Sequence, residues 1–265
     1  MNDKAAITSS KKESLNKEVI LKLLKYSTVL LISLGLSGCI KEENYGQALL
    51  AGITLVKAAT LAEGEVKKTA RLSAVELDKK SVIAPRSSSY SKRLARITNG
   101  LANVDGSQFN YKVYINKNIN AFAMPDGTVR VYSGLLDAMP DDQVLAVIGH
   151  EIGHVKLQHS YNQLKKEMLT SAAFQAASIT TGAVGQLSSS QLGAVAYKAI
   201  NAQFSQKDEL QADQYSLSFL RKRGKNPASM LNVIYTFKNK LGGKGSFLSS
   251  HPTNQQRIDA IKKSL

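Results

Sequence analysis

The chain has 265 residues, 43% of them apolar and 21% charged, with a formal net charge of +15. That is enough for one substantial globular domain with its own core. The basic balance raises the question of an anionic partner. However, there is no dense Lys/Arg run interleaved with aromatics and no helix-turn-helix, RRM or finger signature, so nucleic acid is not an expected partner. A basic surface near an anionic membrane or acidic glycans is the simpler reading.

Lys22 to Cys39 reads KLLKYSTVLLISLGLSGC: basic residues, an apolar run from about Val29 to Leu36, then small residues. The run is too short for a stable span and has the shape of a signal peptide. Its end, Leu36-Ser37-Gly38-Cys39, resembles a bacterial lipobox. Residues 1–38 are therefore expected to be a lipoprotein signal peptide, with Cys39 the lipidated N-terminus and the attachment to a membrane. Residues 39–80 are expected to form a linker and helical segment, and residues 81–265 the main domain. Removing the first 38 residues still leaves 29 basic and 17 acidic groups. Cys39 is the only cysteine, so disulfides and thiolate chemistry are not expected.

Gln47 to Glu63 reads as a packed, Ala-rich helix interrupted by Lys57. Val66 to Lys80 and Ser88 to Asn103 follow as amphipathic helices separated by Ala84-Pro85. The period then changes: Phe109 to Ile115 alternates as a strand, Asn120 to Met124 is a second, Pro125-Asp126-Gly127 is a turn, and Thr128 to Tyr132 is a third. The expected fold class is α+β, mainly helical, with a small antiparallel sheet ahead of the helix that carries GHEIGH. Pro140-Asp141-Asp142 offers that helix an N-cap and an acidic first turn. Leu145, Ile148, Ile152, Val155 and position 159 are read as its core-facing stripe. Thr170 to Gln203 is rich in Ala, Ser, Gly and Gln, which suggests helices with a loop and, on composition alone, a cover over a cleft. Helices are then expected over Gln206–Arg223, Ala228–Leu241 and Asn254–Lys263.

His150 and His154 stand at i and i+4, on one helix face and away from the apolar stripe, with Glu151 beside them. In this H-E-x-x-H spacing two imidazoles reach one zinc ion, and the glutamate handles the proton of the attacking water. A hydrolytic zinc wants a third protein ligand. His159 falls five residues after His154, short of the metzincin spacing, and is read as a core histidine. Glu209 is the better third ligand. It shares a helix face with Asp213 and Ser216 between apolar flanks, where an unpaired carboxylate is expensive to bury. Asp213 is then the orienting partner of a ligand histidine.

H-E-x-x-H followed by E-x-x-A-D resembles the HtpX-type gluzincin zinc metallopeptidase family. Asn120-Ala121-Phe122-Ala123, Val131 to Leu136, Ser205 to Asp213, and His251-Pro252 with Arg257-Ile258 extend the resemblance over roughly residues 88–261. Combined with the lipobox, the pattern resembles the outer-membrane lipoprotein members. Gln206 is a departure, at a position where the family often has arginine. The resemblance implies a zincin-like domain holding one zinc ion per subunit and an endopeptidase acting on protein or peptide substrates. Glu151 would be the general base. His251 would stand beside the zinc, either stabilising the oxyanion or taking the open position at rest, with Arg257 as its neighbour. Asn120, Ala121, Phe122 and Ala123 would be an edge that pairs with an extended substrate. The family also implies quality control in the cell envelope, with other envelope proteases or assembly machinery as partners. Ile40 after the cysteine points to the outer membrane where a cell has two. Two other readings stand beside this one: a non-catalytic, chaperone-like zinc lipoprotein, and a zinc hydrolase of peptidoglycan peptides.

Overall fold

In the computed structural model of the chain, residues 61–171, 187–241 and 246–265 are described. The signal peptide, Cys39, the helix expected over Gln47–Glu63 in all but its last residues, and the centre of the Thr170–Gln203 segment lie outside the described residues. The element order is α1 (Glu63–Lys80), α2 (Ser89–Ile97), β1 (Asn103–Val104), β2 (Ser107–Gln108), β3 (Asn110–Tyr114), β4 (Ala121–Ala123), β5 (Thr128–Tyr132) and α3 (Ser133–Ala138). Then come α4 (Asp141–Lys156), α5 (His159–Thr170), α6 (Ser189–Asn201), α7 (Gln206–Lys222), α8 (Ala228–Leu241), α9 (Ser246–Ser250) and α10 (Gln255–Ser264). This is the α+β class expected. None of the described helices is long and apolar enough to cross a membrane.

The sheet is not purely antiparallel. Its order is β3-β5-β4; β4 pairs antiparallel with β5, but β3 pairs parallel with it. The expected Pro125-Asp126-Gly127 turn closes the β4–β5 hairpin, with Gly127 at φ 86°. Alternation shows that these segments are strands, but it carries no information on strand direction, so the parallel pair was not visible in the sequence. The amphipathic helix expected over Ser88 to Asn103 is shorter than its pattern. α2 stops at Ile97, and Gly100 at φ 77° turns the chain into β1.

Alternation divides the sheet between two cores. Ala121, Ala123, Val113, Val129 and Val131 face the cluster that includes Leu135, Ile148, Ile152 and Phe237. Phe122 and Tyr114 face the other, with Val66, Ala70, Leu164, Met168 and Ala196 from α1, α5 and α6. α1 is fastened to that second face by Asp78, which receives Arg130 Nε at 2.8 Å, Lys112 Nζ at 2.7 Å and Tyr114 Oη at 2.6 Å. Burial opposes ionisation of Asp78, but hydrogen bonds from Arg130, Lys112 and Tyr114 outweigh it and hold its pKa at about 2. A depressed carboxylate stabilises the fold above its unfolded pKa, near 4, and the contribution is lost as pH falls towards 2. Asp78→Asn is therefore expected to cost about 2 kcal/mol at neutral pH and to remove that part of the acid-unfolding curve. Denaturant melts at pH 7 and pH 2.5 check this; an equal loss at both would contradict it.

α4 is not a helix with one core stripe. Every residue from Val144 to Glu151 and on to His154 is buried, because the sheet covers one side and α7 and α8 the other. Its expected acidic first turn is present in Asp141 and Asp142, but no side chain caps the helix. Pro140 is the N-cap, while Asp141 pairs with Arg93 and Arg96 and Asp142 accepts from Ser229. α7 starts as its sequence suggests, with a Ser205–Asp208 capping box. Gly149 and Gly153 let α4 and α7 approach. A Cβ on Gly149 would lie 2.7 Å from Phe219 Cδ1, and one on Gly153 would lie 3.0 Å from Tyr215 Cβ. Gly149→Ala is therefore expected to destabilise by about 1–3 kcal/mol despite alanine's better helix propensity. A gain in thermal stability would show that the two helices have slack.

Candidate metal centre

α4 and α7 meet at the predicted constellation. His150 Nε2 and His154 Nε2 are 3.0 Å apart. Glu209 closes on both, with Oε2 3.6 Å from His150 Nε2 and Oε1 3.4 Å from His154 Nε2. His251, delivered by the turn after α9, places Nδ1 3.3 Å from His150 Nε2 and 2.9 Å from Glu209 Oε1. One donor atom from each of the four residues lies within 4.8 Å of the others. Ligand atoms bonded to zinc at about 2.0–2.1 Å stand roughly 3.3 Å apart along a tetrahedron's edges, so these separations fit that ion. The donor set agrees: imidazole nitrogens and a carboxylate, all buried, converge on one point, the ligand types that zinc takes. Glu209 Oε2 is buried without a hydrogen bond, although Arg257 Nη1 lies 2.6 Å away as an ion pair.

The outer supports are equally defined. His150 Nδ1 donates to Asp213 Oδ1 at 2.9 Å, which leaves a lone pair on Nε2. Arg257 grips Asp213 with two bonds of 2.7 Å and also donates to the Pro252 carbonyl at 3.0 Å. Asn254 caps α10 by accepting the Arg257 backbone N–H, which fixes where that guanidinium starts. His251 stacks on Phe247 with ring centres 4.4 Å apart.

Electrostatics separate the carboxylates. Burial raises the pKa of Glu151, and Glu209 adds to this, against the opposing effects of His251, His150 and a backbone hydrogen bond from Ala123. Burial also opposes ionisation of Glu209, but His251 and His150 outweigh it and hold the group far below the usual range. Asp213 is kept low by Arg257 and His150 against burial. The arrangement is a permanently ionised ligand beside a more basic carboxylate, the division of labour that general-base hydrolysis needs. His251 Nε2 lies 3.4 Å from Glu151 Oε1, so it touches both carboxylates.

The Asn120–Ala123 segment is an edge of its sheet. Tyr132 N–H bonds to the Asn120 carbonyl and Met124 N–H to the Thr128 carbonyl, so Phe122, between them, turns its backbone towards β5. Of the four residues, Ala121 and Ala123 turn theirs to the open side. The Asn120 side chain accepts the Ala121 N–H at 2.9 Å, and the Phe122 ring packs edge-on against Tyr114 and Tyr132. Gln206, the departure from the family pattern, hydrogen-bonds Gln256 at the surface.

Two residues were missed as parts of the site. His159 is buried, as a core histidine would be, but it touches His154 rather than the apolar stripe. The half-buried Phe204 stacks on His154 with centroids 3.9 Å apart and leans on His251 at 5.2 Å. Its only sequence signal is its place directly before the Ser205 cap.

The sequence matches peptidase family M48 over residues 88–265. It is 42% identical over 229 residues to metalloprotease LoiP of Escherichia coli, covering 86% of this chain and 90% of that one. It is 40% identical to metalloprotease YcaL of the same organism, covering 86% and 91%. A more distant likeness, 28% over 57% of this chain and 32% of the relative, is to the beta-barrel assembly-enhancing protease of Yersinia pestis. With two thirds of its length matched and its metal-binding cluster in place, the chain belongs to peptidase family M48 and is a zinc metallopeptidase.

Proposed function

We propose that this metallopeptidase is a lipid-anchored endopeptidase of the bacterial cell envelope that cleaves unfolded or misassembled envelope proteins. In this reading His150, His154 and Glu209 hold the zinc, and Asp213, itself held by Arg257, orients His150. When bound, the ion supplies Lewis acidity and lowers the pKa of water towards about 7. Glu151 takes the proton of the attacking water and passes it to the leaving amine. His251 lends its N–H to the developing oxyanion, or its lone pair to the ion at rest. Ala121 and Ala123 offer backbone groups to an extended substrate, which binds by strand addition with little demand on its sequence. The observation that carries the reading is the convergence of four ligand donors with Glu151 beside them and the β4 edge alongside.

The envelope role draws support from the lipobox and from a relative named for enhancing beta-barrel assembly. The full-length protein in detergent, given unfolded casein and purified sacculi side by side, should cut the casein. A zinc chelator should stop the cutting and added zinc restore it. Release of peptides from the sacculi with casein intact would instead favour the peptidoglycan reading. Fractionation of cells carrying Cys39→Ser tests the anchor, and an unchanged membrane fraction would rule it out.

A further inference from the structure

α4 ends at Lys156, and Gln158 adopts a left-handed backbone, φ 63° and ψ 15°, before α5 begins at His159. That reversal folds the His159 ring back against His154, with ring centres 5.1 Å apart and planes crossing at 68°. His159 Nδ1 lies 3.1 Å from His154 Nδ1. On the far side of the ring, His159 Nε2 meets Gln211 Oε1 at 3.1 Å and stands 3.5 Å from Asp208 Oδ1. Both acceptors come from the first turns of α7, the helix that carries Glu209.

Two imidazoles that meet nitrogen to nitrogen need one donor and one acceptor. An amide can present either end, but the carboxylate of Asp208 only accepts, so the His159 proton belongs on Nε2. Nδ1 of His159 is then a lone pair, and the shared proton sits on His154 Nδ1. His154 is thereby fixed in the tautomer whose Nε2 lone pair points at His150 Nε2, 3.0 Å away, and at Glu209. The reverse assignment would aim an N–H into the donor cluster.

We propose that His159 is a positioning residue for the zinc site, and that Gln211 and Asp208, through the His159 ring, hold His154 in its ligating tautomer. This rests on the reading of His154 as a zinc ligand. The two ligand histidines are then supported differently. His150 leans on an anion, Asp213, and His154 on a neutral ring whose own supports lie near the protein surface. Asp208 also closes the capping box of α7, so one short stretch of that helix supplies the third ligand and the support for the second.

Zinc affinity measured by competition with a chromophoric chelator on the full-length protein tests this, alongside the melting temperature of the metal-free form. His159→Phe keeps the ring and removes both nitrogens, and should weaken zinc binding by about 10–100-fold. His159→Asn puts an amide oxygen near the place of Nδ1 and should recover most of that loss. Gln211→Leu, at an exposed position, should weaken binding in the same direction by less without changing the fold. Equal losses for the Phe and Asn variants would show that His159 acts by packing and overturn the proposal, as would wild-type affinity in the Phe variant. Should the Phe variant fail to fold, the other two decide: wild-type affinity in Gln211→Leu overturns it. His154→Ala separates this from the reading beneath. Zinc lost there and kept in the His159 and Gln211 variants removes only the relay. Zinc kept there at wild-type affinity removes the ligand assignment and the relay together.

Discussion

Glu151→Gln is expected to lower casein cleavage by at least about 100-fold while leaving zinc content at one ion per chain. The two halves of that result come from different atoms. In the proposed site zinc would be held by nitrogen and carboxylate donors of His150, His154 and Glu209, which belong to the buried donor cluster and none of which the substitution touches. The proton transfer needs a basic oxygen, and Glu151 Oε1 is buried with no hydrogen-bond partner of its own. His251 Nε2 lies 3.4 Å from that oxygen, and a backbone hydrogen bond from Ala123 also reaches the carboxylate. An amide is nearly isosteric and keeps one oxygen, but it is far too weakly basic to take a proton. Burial already disfavours the charged glutamate, so the neutral amide should not destabilise the fold, and metal-free melting should be unchanged or higher. Zinc retained with cleavage at wild-type rate would remove Glu151 from the reaction. Zinc retained with no cleavage in either protein would favour the non-catalytic reading, and His251→Ala would then be the informative comparison.

The motif residues were legible because their spacing is itself the chemistry: i, i+4 histidines share a face whatever surrounds them, and Glu209 with Asp213 repeats that logic on a second helix. Their supports were legible only in part. Asp213 announced itself as a carboxylate between apolar flanks, whereas His159 was read as if α4 ran through it. No glycine or proline marks the end of α4. The chain turns at Gln158, a residue that rarely adopts a positive φ, and no local rule places a stop there. The burial of α4 on every side was hidden for a related reason. The faces of its histidines and glutamate are polar in sequence and covered in the fold, since those groups satisfy one another. The direction of β3 and the contact of Phe204 with His154 depend on which distant segments meet, which periodicity does not encode.

Arg257→Met is the substitution expected to damage the fold most. Arg257 is 1% exposed and holds three carboxylate oxygens: two on Asp213 at 2.7 Å and Glu209 Oε2 at 2.6 Å. Burial opposes the charge on each of these groups, and the compensation is mutual: Arg257 and His150 hold Asp213 ionised, and Asp213 raises the guanidinium's pKa in return. Methionine fills similar space but leaves two buried carboxylates against the imidazoles. Breaking a buried ionic group on one side costs about 3–5 kcal/mol, or about 6–20 °C in melting temperature for a chain of this size. Two companions separate charge from shape. Arg257→Lys keeps the charge but cannot reach both Asp213 oxygens and the Pro252 carbonyl in one plane, so it should recover only part of the loss. Arg257→Met with Asp213→Asn removes one stranded charge and should melt above Arg257→Met alone, although His150 then loses the anion that orients it and zinc binding should remain weak. Melting of Arg257→Met within about 2 °C of wild type would show that the carboxylates find protons or solvent at little cost. That result would also mean that α10 contributes to the site by covering it and not by charge.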